Sequence, residues 1–239
     1  MFDLTNTTIL FSICVMRSIF RTLDSTLLRN IALVCLADGL VGISYGAIAV
    51  GAGLEPWLPT ALSVLVLAGS AEFMFVGIVA AGGSSIAAML AGLLVNARHL
   101  PFGLTVGDVL DRGWRRVLGS HVMNDESVVF ALGQTDRDRR RAAYWACGVG
   151  IAICWPLGAL LGAVAGNAIG DTGVFGLDAM FPAVLLALVL PALRDRDVRV
   201  PALVGGVVAL VTTPLLPAGL PVLAALLGLL VRVRRKVLQ

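Results

Sequence analysis

An all-α, polytopic transmembrane bundle with broken helices is the fold this sequence predicts, and three observations carry it. Hydrophobic residues make up 58% of the 239 residues and charged residues only 14%, against about 25% charged in a soluble domain; the mean hydropathy is +0.93. The apolar residues gather into runs on the scale of the roughly 20 that a helix needs to cross lipid, with Arg and Lys collected at the ends of the runs. Gly, Ser and Pro fall inside several runs beside ionisable groups, which marks helices interrupted at membrane depth, where the freed backbone groups must line protein or water.

The same composition excludes other classes. A net charge of +3 is too small for a nucleic-acid binder, and the basic residues sit where the positive-inside rule uses them. Cys14, Cys35, Cys147 and Cys154 show no metal-ligand spacing, and most lie in apolar runs, so they read as small buried hydrophobes with no disulfide and no metal. No cofactor motif is present, and the partners that composition implies are membrane lipid and a small molecule.

Taken in order, residues 1–28 form an N-terminal cytoplasmic or interfacial segment. Thr8 to Met16 is too short to span a bilayer, and Asp3 without an early Lys or Arg does not fit a signal peptide. That leaves an interfacial helix or an overextended start. Residues 29–239 form one transmembrane domain. Its candidate spans are Ile31 to Gly53, Trp57 to Ala81, Ser84 to Gly107, Ala142 to Ala168, Val174 to Ala192, Val200 to Leu216 and Leu220 to Val233. Arg17, Arg21 and Arg29 place the N terminus in the cytoplasm. Arg137 to Arg141, the Arg194, Arg196 and Arg199 turn, and the Arg232, Arg234, Arg235 and Lys236 tail are placed there too. Both ends inside demands an even number of crossings. Val117 to Gly133, a polar stretch with Ser120, His121, Asn124, Asp125 and Glu126, supplies an eighth, at the cost of placing Arg112, Arg115 and Arg116 outside. The expectation is therefore about eight spans, within a range of six to eight if some segments are re-entrant.

A faint internal repeat accompanies this pattern. Tyr45 to Gly51 resembles Leu157 to Gly162, and each is followed by an apolar helix with an acid near a Phe, Glu72 with Phe73 and Asp178 with Phe181. Gly39, Gly42, Gly46, Gly158, Gly162 and Gly166 fall on small-xxx-small spacing, which lets helix backbones approach closely in lipid.

The chemistry concentrates between Leu67 and Gly103. Glu72 lies in one apolar run and the Arg98–His99 pair in the next. A charge near a bilayer centre costs roughly 2.5–3.5 kcal/mol on insertion scales, so it persists where it is paired or faces a cavity. Gly69 and Ser70 interrupt the first run, Pro101 and Gly103 the second. Broken helices at mid-membrane are how secondary transporters build substrate sites. An enzyme is not expected: Ser70 lacks a G-x-S-x-G context, and His121 with Asp125 is only a loose His–acid spacing. A channel would need a continuous polar lining rather than isolated charges.

The set Ala68-Gly69-Ser70-Ala71-Glu72-Phe73, then Asn96-Ala97-Arg98-His99, then Asp125-Glu126, with the Trp155–Pro156 region, resembles the AzlC family, the large subunits of branched-chain amino-acid exporters. The resemblance runs from about Arg29 to the C terminus. It implies a multi-pass permease domain in the cytoplasmic membrane that exports leucine, isoleucine, valine and often methionine with a small AzlD-type membrane subunit. Two positions depart from the family pattern: Glu72, where relatives more often carry Gln, and the first helix, with Cys35 and Asp38 where relatives usually carry a proline. Both departures bear on the coupling ion and the substrate range.

A zwitterionic amino acid needs an anion for its ammonium and donors for its carboxylate, which exposed helix N-termini can supply. Glu72 is the candidate for the ammonium or for a proton, Arg98 for the carboxylate, and Gly69, Ser70 and Asn96 for orienting the substrate. The alternative is a Glu72–Arg98 ion pair with no ligand contact. His99 is a structural hydrogen bonder or a proton relay. Asp38 is a solvated helix end or a proton site. Asp125 and Glu126, adjacent and so about 100° apart on a helix, are proton-coupling candidates of which one is expected to face the cavity.

Overall fold

The computed structural model describes residues 22–110, 112–169, 186, 190, 192–216 and 220–230. Cys14, Arg17, Arg21, Asp178 and Phe181, most of the 174–192 span and the basic tail lie outside them. Every regular element among the described residues is helical.

Helix α1 (Ser25–Gly51) starts where the Asp24 carboxylate accepts the Leu27 N–H at 2.8 Å. That bond, with the Arg139 guanidinium at 2.6 Å, holds the Asp24 carboxyl below its ordinary value of 3.8. Helix α8 (Arg137–Ile169) is the other long element. The two lie side by side and run in the same direction: Asp24 meets Arg139, the Cys35 thiol donates to the Cys147 carbonyl, Gly39 abuts Cys154, and Ala47 abuts Gly166. Glycine makes this contact. A Cβ added at Gly46 or Gly162 would run into the backbone of Ala159 or Ile43, so the small-xxx-small spacing is a helix-packing seam. The two matched segments of the repeat thus lie on partner helices; the Asp178 half of the match falls outside the described residues.

Between α1 and α8 lie two helix pairs that enter the membrane and turn back. Helix α2 (Trp57–Leu65) runs inward from the end of the bundle where α1 finishes. The chain breaks at Leu67, which adopts a left-handed φ of 50°, a conformation that costs a residue with a Cβ about 1–2 kcal/mol. Helix α3 (Gly69–Ala80) then returns to the same end and reverses at Gly82 (φ 79°) into α4 (Ser85–Asn96). Helix α4 continues into α5 (His99–Thr105) through a tight turn at Ala97 and Arg98, both with right-handed helical dihedrals, and the combined stretch is long and apolar enough to cross. It finishes beside the start of α8, where Arg140 pairs with Asp108 at 3.1 Å.

The second inward pair is α6 (Trp114–His121) and α7 (Asp125–Leu132). It enters next to Asp108 and leaves at Arg137, whose guanidinium donates back to the Asp108 carbonyl at 3.1 Å. Two expected crossings are therefore corrected. Trp57 to Ala81 and Val117 to Gly133 are re-entrant, because half-helices of 8 to 12 residues reach only about 12–18 Å at 1.5 Å per residue, short of the ~30 Å apolar core. The correction removes the charge conflict: Arg29, Arg112, Arg115, Arg116 and Arg137 to Arg141 all fall at one end of the bundle. Among the described residues three stretches qualify as full crossings, Ser25–Gly51, Ser85–Thr105 and Arg137–Gly166. Their outward leucines, such as Leu36 and Leu40 on α1 and Leu157 and Leu161 on α8, are exposed as lipid-facing side chains would be.

Helix α9 (Arg196–Thr212) packs on the short α10 (Leu220–Ala224) and its 3₁₀ continuation (Ala225–Leu227) through Gly205 and Gly228.

Candidate functional site

The tips of the two inward pairs meet at mid-depth. His121, at the end of α6, donates its Nε2–H to the Val64 carbonyl near the end of α2 at 2.9 Å. Beside this contact is a cavity of about 380 Å³. Its wall comes from both tips (Leu67 to Ser70 and Asn124 to Glu126), from Asp38 on α1, from Arg98 and His99 at the α4–α5 turn, and from Ile151 and Trp155 on α8. Asp38 lies 13 residues into α1 and Trp155 18 residues into α8, about 20–27 Å along each helix. Asp38 is therefore a membrane-depth acid and not a solvated helix end.

Both tips are built by capping chemistry. Ala68, at the start of α3, has no side chain to cap the helix, and Glu72 reaches back to accept its N–H at 2.9 Å. At the opposite tip Asn124 and Ser127 cap reciprocally: the Asn124 Oδ1 accepts the Ser127 N–H at 2.8 Å, and the Ser127 hydroxyl accepts the Asn124 N–H at 3.0 Å. The two helices thus start at the cavity with their N-terminal N–H groups directed to it, the arrangement that favours an anion.

The Glu72–Arg98 ion pair, the alternative to a substrate site, does not form. Glu72 is 2% exposed and sits behind the cavity wall, where the Trp155 indole N–H donates to both of its oxygens at 3.1 Å. Tyr45 stacks on Trp155 (centroids 5.5 Å, planes 21° apart), and Phe73 meets both rings edge-on. The reason for the miss is the direction of the helix: Glu72 follows the break by one turn and points back along α3 to its start, whereas Ser70 faces outward. Arg98 instead donates to the Ser70 hydroxyl at 2.6 Å and pairs with Asp125 at 2.8 Å. A cation and an acid held together in this way need not be carried unpaired through lipid.

The other expected residues divide. Gly69, Ser70, Arg98, His99, Asp38, Asp125 and Glu126 line the cavity, so the expectation that only one of the adjacent acids faces it is corrected: at the very start of α7 both reach it. Asn96 is half-buried outside that lining, with its carbonyl accepting from the His99 Nδ1–H at 3.0 Å, which is the structural hydrogen bond for the imidazole. The interruption of the α4–α5 stretch comes at Ala97–Arg98, ahead of Pro101, because proline is tolerated in the first turn of the new helix, where no N–H is needed. Two residues were missed. Trp155 showed only as part of the family resemblance, and Asn124 was legible as the cap of an Asn-x-x-Ser motif before Asp–Glu. The lining carries three carboxyl groups and one guanidinium, so it is suited to a cationic group or a proton together with an anion held at the helix starts.

Broken helices that enter from opposite faces and meet around a charged mid-membrane cavity define a membrane protein of the transporter type. The chain belongs to the AzlC family, whose model, described as AzlC protein, matches residues 33–169. It is also similar to the inner membrane protein YgaZ of Escherichia coli strain K12, 25% identical over 190 residues that cover 75% of this chain and 78% of that protein. No solved structure matches it.

Proposed function

We propose that this chain is the large subunit of a proton-coupled secondary transporter that exports leucine, isoleucine, valine and methionine across the cytoplasmic membrane, together with a small AzlD-type subunit. The observation that carries this reading is the mid-membrane cavity, which sets acids and an arginine beside two helix starts and an apolar wall of Leu67, Phe73, Val41, Ile151 and Trp155. An amino-acid zwitterion with an aliphatic side chain matches each part of it. Membership of the AzlC family supports a transporter-type role, and the substrate class and two-subunit form are what the family resemblance implies.

Proton coupling rests on Asp38, Asp125 and Glu126, which all line the cavity. Arg98 is within reach to compensate one of them and is paired with Asp125. Three carboxyl groups with one guanidinium on the lining offer places for a proton or a substrate ammonium. The arginine-rich end of the bundle is cytoplasmic by the positive-inside rule, and the basic residues near both termini assign those ends to the same side by that rule.

The test is efflux of preloaded leucine from cells that express the chain with and without the small subunit. Accelerated efflux that needs both subunits and stops with a protonophore supports all parts of the reading. Efflux that persists without a proton gradient removes the coupling, full activity of the chain alone removes the partner, and no accelerated efflux of any apolar amino acid removes the substrate class.

A further inference from the structure

We infer that Asn124 and Arg98 form the subsite for the substrate's carboxylate, with Asn124 Nδ2 as the donor that selects it; this deepens the amino-acid reading above and rests on it. Asn124 is 6% exposed and lines the cavity. Its Oδ1 is used as the cap of α7, which fixes the amide so that Nδ2 is the free end, and that buried donor has no partner among the described residues. Buried donors without partners are rare and costly. Arg98, on the same wall, commits one terminal nitrogen to Ser70 and Asp125 while its Nε is buried and also unpartnered.

Two orphan donors on one wall call for an acceptor with two oxygens. The adjacent starts of α3 and α7 add partial positive charge from opposite sides. A carboxylate can accept from donors of this kind; an ammonium cannot. The acids Asp38 and Glu126 line the same cavity and are the groups available to the ammonium. Asp125 meets the carboxylate only after its charge has been compensated by Arg98 at 2.8 Å.

Two substitutions separate the donor from the cap. Asn124→Asp keeps an oxygen to cap Ser127 and replaces the Nδ2 donor with an acceptor; Asn124→Ser keeps a capping hydroxyl without adding charge. Competition against labelled leucine in membranes holding the full chain would compare leucine, leucinamide, which lacks the carboxylate, and 4-methylpentanoate, which lacks the ammonium. The wild type is expected to prefer leucine to leucinamide, and both variants to lose about tenfold or more in leucine affinity, the loss of one charge-assisted hydrogen bond, with leucinamide affinity unchanged. Equal affinity of wild type for leucine and leucinamide, or leucine affinity in both variants within a factor of two of wild type (roughly the scatter expected without a lost hydrogen bond), overturns the subsite. If 4-methylpentanoate binds as well as leucine, the carboxylate subsite stands and the amino-acid reading fails. If wild type binds neither, both fail.

Discussion

Glu72 is placed to hold the first re-entrant tip together rather than to touch substrate, and substitutions that separate charge from hydrogen bonding test this. Its carboxylate is the sole acceptor shown for two buried donors, the Ala68 N–H at 2.9 Å and the Trp155 indole N–H at 3.1 Å. Glu72→Leu removes the acceptor at nearly constant volume. Each stranded donor costs about 1–3 kcal/mol, so the pair costs about 2–6 kcal/mol. At about 1.4 kcal/mol per tenfold, the low end is already a thirtyfold shift in the folded population. Glu72→Gln keeps one oxygen that can accept from both Ala68 and Trp155 and loses mainly the added strength of a charged acceptor. The assay is the temperature at which detergent-solubilised protein loses its monodisperse peak on size exclusion, read together with leucine efflux. The expected order of stability is wild type, then Gln, then a clearly lower Leu, with transport retained in the Gln variant. A Glu72→Leu protein as stable as wild type, or a Glu72→Gln protein that is fully folded and dead in transport, would refute the structural role and return the carboxylate to the transport chemistry.

Other outcomes follow from the same geometry. Arg98→Ala should cut both expression and transport by leaving Asp125 unpaired at membrane depth, and adding Asp125→Asn should restore expression on immunoblots but not transport; rescue by Glu72→Gln instead would contradict the observed pairing. Gly46→Ala and Gly162→Ala should each prevent assembly, since the added methyl meets backbone of the partner helix, whereas Gly206→Ala, with nothing within 4 Å, should be neutral in the same size-exclusion profile. Because the Asp24 carboxyl is held below 3.8, its contribution is present at every pH above that value and lost as pH falls through the lowered one. Asp24→Asn should then differ from wild type in thermal stability at pH 7 and at pH 5 alike, and the two should converge only below about pH 3.8.

How far the sequence could be read depended on whether a feature was local. The glycine seam, the apolar runs and the break beside Gly69 are written in short stretches, and they survive in the structure, whereas the second break falls at Ala97 and Arg98 instead of Pro101 and Gly103. What failed was a question of direction. Hydropathy reports that Trp57 to Ala81 is apolar but not that Leu67 reverses the chain, because a left-handed leucine has no compositional signature. The same holds for Val117 to Gly133, where Asn124 and Ser127 announce a new helix start that, read as such, would have divided the stretch in two. The misplaced positive charges of Arg112, Arg115 and Arg116 were the available warning, and the re-entrant path resolves them. Pairing was illegible for a related reason: Glu72 and Asp125 stand almost equally far from Arg98 in sequence, on either side of it, so separation along the chain could not choose between them. Trp155 became part of the site through α8 lying against α1, a contact that no periodicity reports.

The proposed transport of an amino acid requires the cavity at the meeting of the two re-entrant tips to open to each face of the membrane in turn. Ser70→Cys, in a chain whose native cysteines are replaced by alanine, places a reactive thiol on that cavity wall. Right-side-out and inverted vesicles would be treated with a membrane-impermeant methanethiosulfonate, with and without leucine. The account predicts labelling from both faces, slowed by leucine in each case and not slowed by leucinamide. Labelling from one face only, or at a rate that leucine does not change, would contradict it.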